Sequence, residues 1–117
     1  MRLSIFLLPV LLMACGLRPN GIATGGDPVA GGQHLYRLGC GSCHTIPGIV
    51  GAHGMAGPSL DGVASRSYIA GLLPNQPPNL EYWIQHPHSV HPDSLMPELG
   101  LTEAQSRDIA AYLYLLN

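Results

Sequence analysis

Apolar residues along the chain fall into one dense amino-terminal run and three later sets at helical spacing, separated by stretches rich in glycine and proline. The dense run, Leu3 to Met13, follows the positive start Met1-Arg2. It is too short for a spanning helix, which needs about 20 apolar residues, and fits the apolar part of a signal peptide over residues 1–14. Residues 15–26 hold little apolar material and several glycines, the composition of a flexible tether. Asp27-Pro28 then offers an N-cap followed by proline at the first helical position. The helix it opens is expected to reach about Leu38 and to end at Gly39. Gly32, Leu35, Tyr36 and Gly39 share one face. Glycine inside a helix costs about 1 kcal/mol, so Gly32 on that face predicts a second helix crossing closely there. Thr45 to Met55 and Ser67 to Pro78 read as loops. Asn79 is expected to cap a short helix from Leu80 to His86, ended by Pro87, with Leu80, Trp83 and Ile84 on its buried face. Thr102-Glu103-Ala104-Gln105 has the form of a capping box. It opens a helix expected to run from Glu103 to Leu116, with Ile109, Tyr112, Leu113 and Leu116 as its apolar stripe. No strand pattern is visible, so residues 27–117 read as one all-α domain.

Composition narrows this picture. A chain of 117 residues holds one domain at most. Its formal charge of −2, with five arginines and no lysine, gives no reason to expect nucleic acid as a partner. Fifteen glycines and eleven prolines favour long loops, and Phe6, Trp83 and five tyrosines are the whole aromatic content. A domain of about 100 residues buries a limited share of its surface. A bound cofactor at its centre would therefore weigh heavily in its stability.

The chemistry concentrates in Cys40-Gly41-Ser42-Cys43-His44. In an exported chain, C-x-x-C-H is the pattern of c-type haem attachment. Thiols two residues apart can each add to one vinyl group of a single haem, and the following histidine then offers its imidazole to the iron. A structural zinc site would want four ligands, and the remaining cysteine, Cys15, lies in the export region. A thioredoxin-like pair would want a βαβ pattern. His86, His88 and His91 form a second cluster, but the neighbouring prolines are expected to keep that backbone extended and the rings apart. They read as surface residues rather than as a metal site.

With these motifs in place, residues 27–117 resemble the class I cytochromes c, and the fold that the resemblance implies is all-α, with about four short helices and long loops around one covalent haem c. In that family a Gly-Pro-x-Leu segment follows the haem histidine, and its proline carbonyl accepts a hydrogen bond from the imidazole; Gly57, Pro58 and Leu60 match it. Ligating histidines ordinarily give their second N–H to such an acceptor. The resemblance implies a propionate-binding role for Arg66 and places Trp83 against the haem, where ordinary core packing would equally bury it. It implies Met96, in Leu95-Met96-Pro97, as the sixth ligand opposite His44, rather than Met55. It also matches Gly32, Tyr36 and Tyr112 to the crossing of the first and last helices. The segment Arg66 to Asn75 is similar to the cytochrome c domains associated with terminal oxidases.

Leu12-Met13-Ala14-Cys15 resembles the lipobox of bacterial lipoproteins, which implies lipid on Cys15 and a domain held on the periplasmic side of a bacterial membrane. The implied function is single-electron transfer in a respiratory chain, not enzymatic turnover. A quinol-oxidising complex would be the donor and a terminal oxidase the acceptor, with the protein a monomer. A periplasmic dehydrogenase as donor, or a peroxidase or gas sensor with an open iron face, are the alternatives.

Overall fold

A computed structural model describes residues 23–117 of the chain. The expected signal peptide, residues 1–14, and Cys15 lie outside these residues. Four helices and one small hairpin follow in order: α1 (Pro28–Arg37), β1 (Tyr68–Ile69), β2 (Leu73–Pro74), α2 (Pro77–Gln85), α3 (Pro87–Val90) and α4 (Glu103–Leu113). The first and last helices cross, and α2 packs against α4. Leu35, Ile46, Val63, Leu80, Ile84, Ile109 and Leu113 fill the core between them. Among the described residues, no helix is long and apolar enough to cross a membrane.

The start of α1 is capped as its residues dictate. The Asp27 side chain accepts from Val29 N–H at 2.9 Å, and Pro28 occupies the first turn. Asp108 of α4 then ties the two helices together, its Oδ1 accepting from Asp27 N–H at 2.8 Å and its Oδ2 facing His34 Nε2 at 3.3 Å. The Thr24 hydroxyl donates to the Arg107 carbonyl at 3.0 Å, so contacts with α4 begin ahead of Asp27.

The close crossing is present, but it centres one residue earlier than the sequence indicated. Gly31 is buried against the backbone of α4, where any Cβ would overlap the Asp108 carbonyl. Gly32 faces the Tyr112 ring instead, where a methyl would stand a tight 3.3 Å away and fit only if the ring shifts by a few tenths of an ångström. Tyr36, expected on the buried face, is 62 % exposed. Tyr112 does sit at the crossing, and its hydroxyl donates to the Pro47 carbonyl at 2.6 Å.

Four further elements differ from expectation. The stretch after Arg66 contains a two-stranded antiparallel hairpin pairing Tyr68 with Pro74 and Ile69 with Leu73. Its turn places Ala70 (φ 52°) and Gly71 (φ 69°) in the left-handed region, with Leu72 N–H bonded to the Ile69 carbonyl. Two successive positive φ angles give a turn of type I′, normally signalled by Asn-Gly or Asp-Gly, and Ala-Gly hides it. Helix α2 begins at Pro77 rather than Leu80, because two prolines open the first turn; Asn79 lies inside it and donates back to the Pro74 carbonyl. Pro87 ends α2 but also starts the single turn α3, so the backbone around His88 is helical and not extended. Helix α4 keeps its capping box and stops at Leu113, after which tighter i→i+3 bonds carry Leu115 and Leu116.

Tyr114 anchors the hairpin from beneath. It is 1 % exposed, and its hydroxyl donates to Asn75 Oδ1 at 2.9 Å. The Asn75 amide donates in turn to the carbonyls of Val63 (3.0 Å) and Arg66 (2.8 Å). Burial, reinforced by the Glu81 carboxylate, pushes the Tyr114 hydroxyl up to about 12.

Two outcomes follow. Gly31→Ala destabilises the haem-loaded protein by about 3 kcal/mol through overpacking against backbone, whereas Gly32→Ala changes stability by no more than about 1 kcal/mol in either direction; denaturant unfolding of both variants measures the contrast. Above about pH 10 an unfolded tyrosine loses the proton that native Tyr114 retains. Stability therefore falls as pH rises from about 10 towards 12, by up to about 2 kcal/mol. Tyr114→Phe removes that component of the alkaline loss while costing about 1 to 2 kcal/mol at neutral pH, read from unfolding curves across the pH series.

Candidate haem site

The end of α1 delivers the cysteines. Leu38 caps the helix, and Gly39 turns the chain at φ 72°, a conformation that favours glycine. Cys40 to Ser42 form one 3-10 turn, and the N–H groups of Cys43 (3.2 Å) and His44 (3.0 Å) both point back to the Cys40 carbonyl. This turn places both free thiols and the imidazole on one short piece of backbone. Cys40 is half-buried and Cys43 exposed. Desolvation pushes the Cys40 thiol up, with a smaller contribution from Cys43, against the lowering effect of a backbone hydrogen bond.

A return loop holds the turn from the other side. Gly54 N–H donates to the Gly41 carbonyl at 3.0 Å, Gly57 N–H to the Cys43 carbonyl at 2.7 Å, and Leu60 N–H to the Thr45 carbonyl at 2.8 Å. Glycines make these approaches feasible. A Cβ on Gly41 would stand 2.6 Å from Ala52 Cα, and one on Gly54 would stand 2.5 Å from the Cys43 backbone. Gly57 lies against the His44 ring itself, where a Cβ would come within 2.6 Å of Cε1, 2.9 Å of Nδ1 and 3.0 Å of Nε2. Next to it, the Pro58 carbonyl lies 2.7 Å from His44 Nδ1. A carbonyl only accepts, so Nδ1 carries the proton and Nε2 keeps the free lone pair. Two free thiols, an imidazole locked in this tautomer and a glycine floor beneath it form a donor set that fits covalent haem.

The other predicted residues are placed as follows. Met96 is half-buried, and its N–H donates to Ser94 Oγ at 3.1 Å. Met55 is 91 % exposed. Trp83 is partly buried and packs on the core. The Arg66 guanidinium donates to the carbonyls of Ser59 and Asp61 and so braces the loop after Pro58. His86, His88 and His91 do not converge. Among the described residues no group of three or more His, Cys, Asp or Glu is arranged to hold a metal ion; His88 Nδ1 instead faces Glu98 Oε1 at 3.8 Å. A cleft of about 240 Å³ opens beside the turn, lined by Tyr36, Gly39, Ser42 and Val50 among others. Neither cysteine, His44 nor Met96 lines it, although Gly41 and Ser42 between the cysteines do. The braces at Gly41, Gly54 and Asn75 carry no sequence signal beyond residue type and are visible only in the fold.

Helices crossing over a C-x-x-C-H turn, with the imidazole held by a proline carbonyl, define an all-α protein of covalent haem. Its chain belongs to the cytochrome c family, whose model matches residues 29–116. It has the class I fold, binds haem c through Cys40 and Cys43, and is an electron-transfer protein by family. The structure matches that of a cytochrome c2 from Rhodobacter sphaeroides with a TM-score of 0.51 at 23 % identity, over 75 % of this chain and 94 % of that one. Relatives in sequence include cytochrome c oxidase subunit 2 of Alkalihalophilus pseudofirmus, 34 % identical over 84 residues, or 71 % of this chain and 24 % of that protein. The same subunit of Bacillus sp. strain PS3 is 33 % identical over 92 residues, or 74 % of this chain and 26 % of that protein. The chain thus spans about a quarter of the length of the curated relatives it matches.

Gly57→Ala forces the imidazole off its floor and lowers the hold of His44 on the cofactor roughly tenfold, the scale of outer-shell changes at metal sites. In an acid titration of the loaded protein followed optically, the low-spin spectrum is then lost about one pH unit higher than in the parent.

Proposed function

We propose that this cytochrome c is a single-electron carrier with His44 and Met96 as axial ligands, passing electrons in a bacterial respiratory chain to a terminal oxidase. The observation that carries it is the His44–Pro58 hydrogen bond at 2.7 Å, which leaves Nε2 as the ring's one lone-pair donor. For the opposite side, Met96 is supported by its half-buried place in a loop pinned through Ser94, while Met55 is turned almost wholly to solvent. Haem c, when bound, supplies a one-electron couple whose potential a thioether ligand raises relative to two imidazoles. The chain's part is to fix the imidazole's tautomer and direction, keep water from the buried side and leave an edge open to partners. The two oxidase subunits among the relatives support a terminal oxidase as partner. We further propose that residues 1–14 are removed, that lipid on Cys15 holds a monomer on the periplasmic side of the membrane, and that the residues after Cys15 let it swing between donor and acceptor.

Met96→Ala abolishes the weak long-wavelength band of methionine-ligated ferric haem. It lowers the potential by about 0.1 V, a part of the range that axial ligands command, and lets the reduced protein bind carbon monoxide rapidly. Spectra, voltammetry and gas binding of the variant after expression with a cytochrome c maturation system test this. A parent protein that already binds carbon monoxide fast overturns methionine ligation.

A further inference from the structure

The Pro58 carbonyl is exposed, so water competes with it for the His44 N–H. Its aim depends on the peptide units around it. The proline ring fixes φ at Pro58, and rotation on either side of the carbonyl's own planar unit is the freedom that remains. The next unit, joining Ser59 to Leu60, is held at both ends. Its N–H donates to the Thr45 carbonyl at 2.8 Å, and its C=O accepts from Arg66 Nη2. The same Nη2 reaches the Asp61 carbonyl at 3.4 Å. Arg66 is exposed, and ordering a solvated arginine costs side-chain entropy, so its stem has to be set from below. Asn75 sets it. Its Nδ2 donates to the carbonyls of Arg66 (2.8 Å) and Val63 (3.0 Å), and Arg66 N–H returns to that same Val63 carbonyl at 3.3 Å. Carbonyls only accept, so the amide nitrogen must face them and Oδ1 must face Tyr114, whose hydroxyl donates at 2.9 Å. Tyr114 belongs to the core. An unbroken series of contacts thus runs from the end of α4 to the imidazole.

We propose that Asn75 is a positioning residue for the haem iron: it fixes the Arg66 backbone, Arg66 fixes the Ser59 carbonyl, and the peptide so held aims the Pro58 carbonyl at His44. The proposal rests on His44 being an iron ligand, and on neither Met96 nor the identity of the redox partner. A firm bond from Nδ1 to a carbonyl raises the basicity of the imidazole towards iron. A more basic ligand favours the ferric state, so these contacts lower the reduction potential. A loosened Pro58 carbonyl gives part of that effect up, and the ferrous share rises.

The haem-loaded protein and its Asn75→Leu variant, poised against one redox dye at a fixed solution potential, test this. The ferrous-to-ferric ratio of the variant is expected to be about threefold higher, less than the roughly tenfold change of a direct outer-shell contact. The haem methyl resonances of the ferric variant, whose spread follows the plane of the axial imidazole, are expected to move as well. In an Arg66→Gln background the same substitution is expected to change the ratio by less than about 1.5-fold, because a link already cut cannot be cut again. Thr102→Ala removes the N-cap at the end of α4 opposite Tyr114, and is expected to lower stability while leaving ratio and resonances unchanged. If Asn75→Leu takes up no haem, Tyr114→Phe, which removes only the contact to Oδ1, replaces it and is expected to raise the ratio too. An unchanged ratio in the variant used overturns the proposal, and so does an equal rise in Thr102→Ala. A full shift that persists in the Arg66→Gln background overturns the route through Arg66 and marks a direct contact of Asn75 with the cofactor. Parent spectra without imidazole on the iron overturn the assignment of His44 and the proposal with it, whereas normal parent spectra with any of the other failures leave that assignment standing.

Discussion

The imidazole of His44 is the fixed point of the structure. A ring that is to hold iron must not rotate, and three contacts remove its freedom: the short link to Cys43, the Pro58 carbonyl on Nδ1 and the Gly57 backbone against its face. The last two depend on the return loop 52–60 lying at one height above the haem turn. Glycines set that height. Gly41 against Ala52 and Gly54 against Cys43 approach at distances that no side chain would allow, and backbone hydrogen bonds close each approach. The loop's lack of regular structure is therefore no sign of looseness. Its polar groups are spent on the turn it covers, the condition under which irregular backbone can be packed at all.

The helices serve the same point from a distance. Gly31 lets α1 lie directly on α4, and Asp108 binds both the backbone and His34 of α1. Together they fix the direction in which α1 ends, and Gly39 then sets the cysteines. The Tyr112 hydroxyl on the Pro47 carbonyl connects that same crossing to the loop after His44. A core of short aliphatic residues with one buried tyrosine is modest for a domain of this size. A large apolar cofactor adds its binding free energy to folding, so the scaffold that orients the haem also depends on it.

Much of this was legible in the sequence, for specific physical reasons. The C-x-x-C-H run, the Asp27-Pro28 start, the glycine stop after α1 and the Thr102 capping box are local signals, and each appears where its residues place it. What misled was non-local. Helical spacing put Gly32 and Tyr36 on the buried face, but the closest backbone approach to α4 falls at Gly31 and Tyr36 stays exposed. The Ala70-Gly71 turn lacks its usual asparagine, so the hairpin read as loop. Asn75 gave no hint of its part, since its three partners, Val63, Arg66 and Tyr114, come together only in the fold. Arg66 reads, by resemblance, as a propionate-binding cation; in the structure its guanidinium rests on two carbonyls of the Pro58 loop, partners that no local pattern signals.

The placement of charge completes the argument from fold to function. The return loop must pack glycine backbone against the haem turn, and a charged side chain on its inner side would have to be desolvated without a partner, which is costly. That constraint explains neutrality inside but says nothing of the outer side, where Met55 stands in solvent and a charge would cost little. Neutrality there lies outside what folding demands. Free of Asp, Glu, Lys and Arg throughout, the segment from Leu38 to Leu60 meets the packing requirement of the haem turn without desolvating a charge.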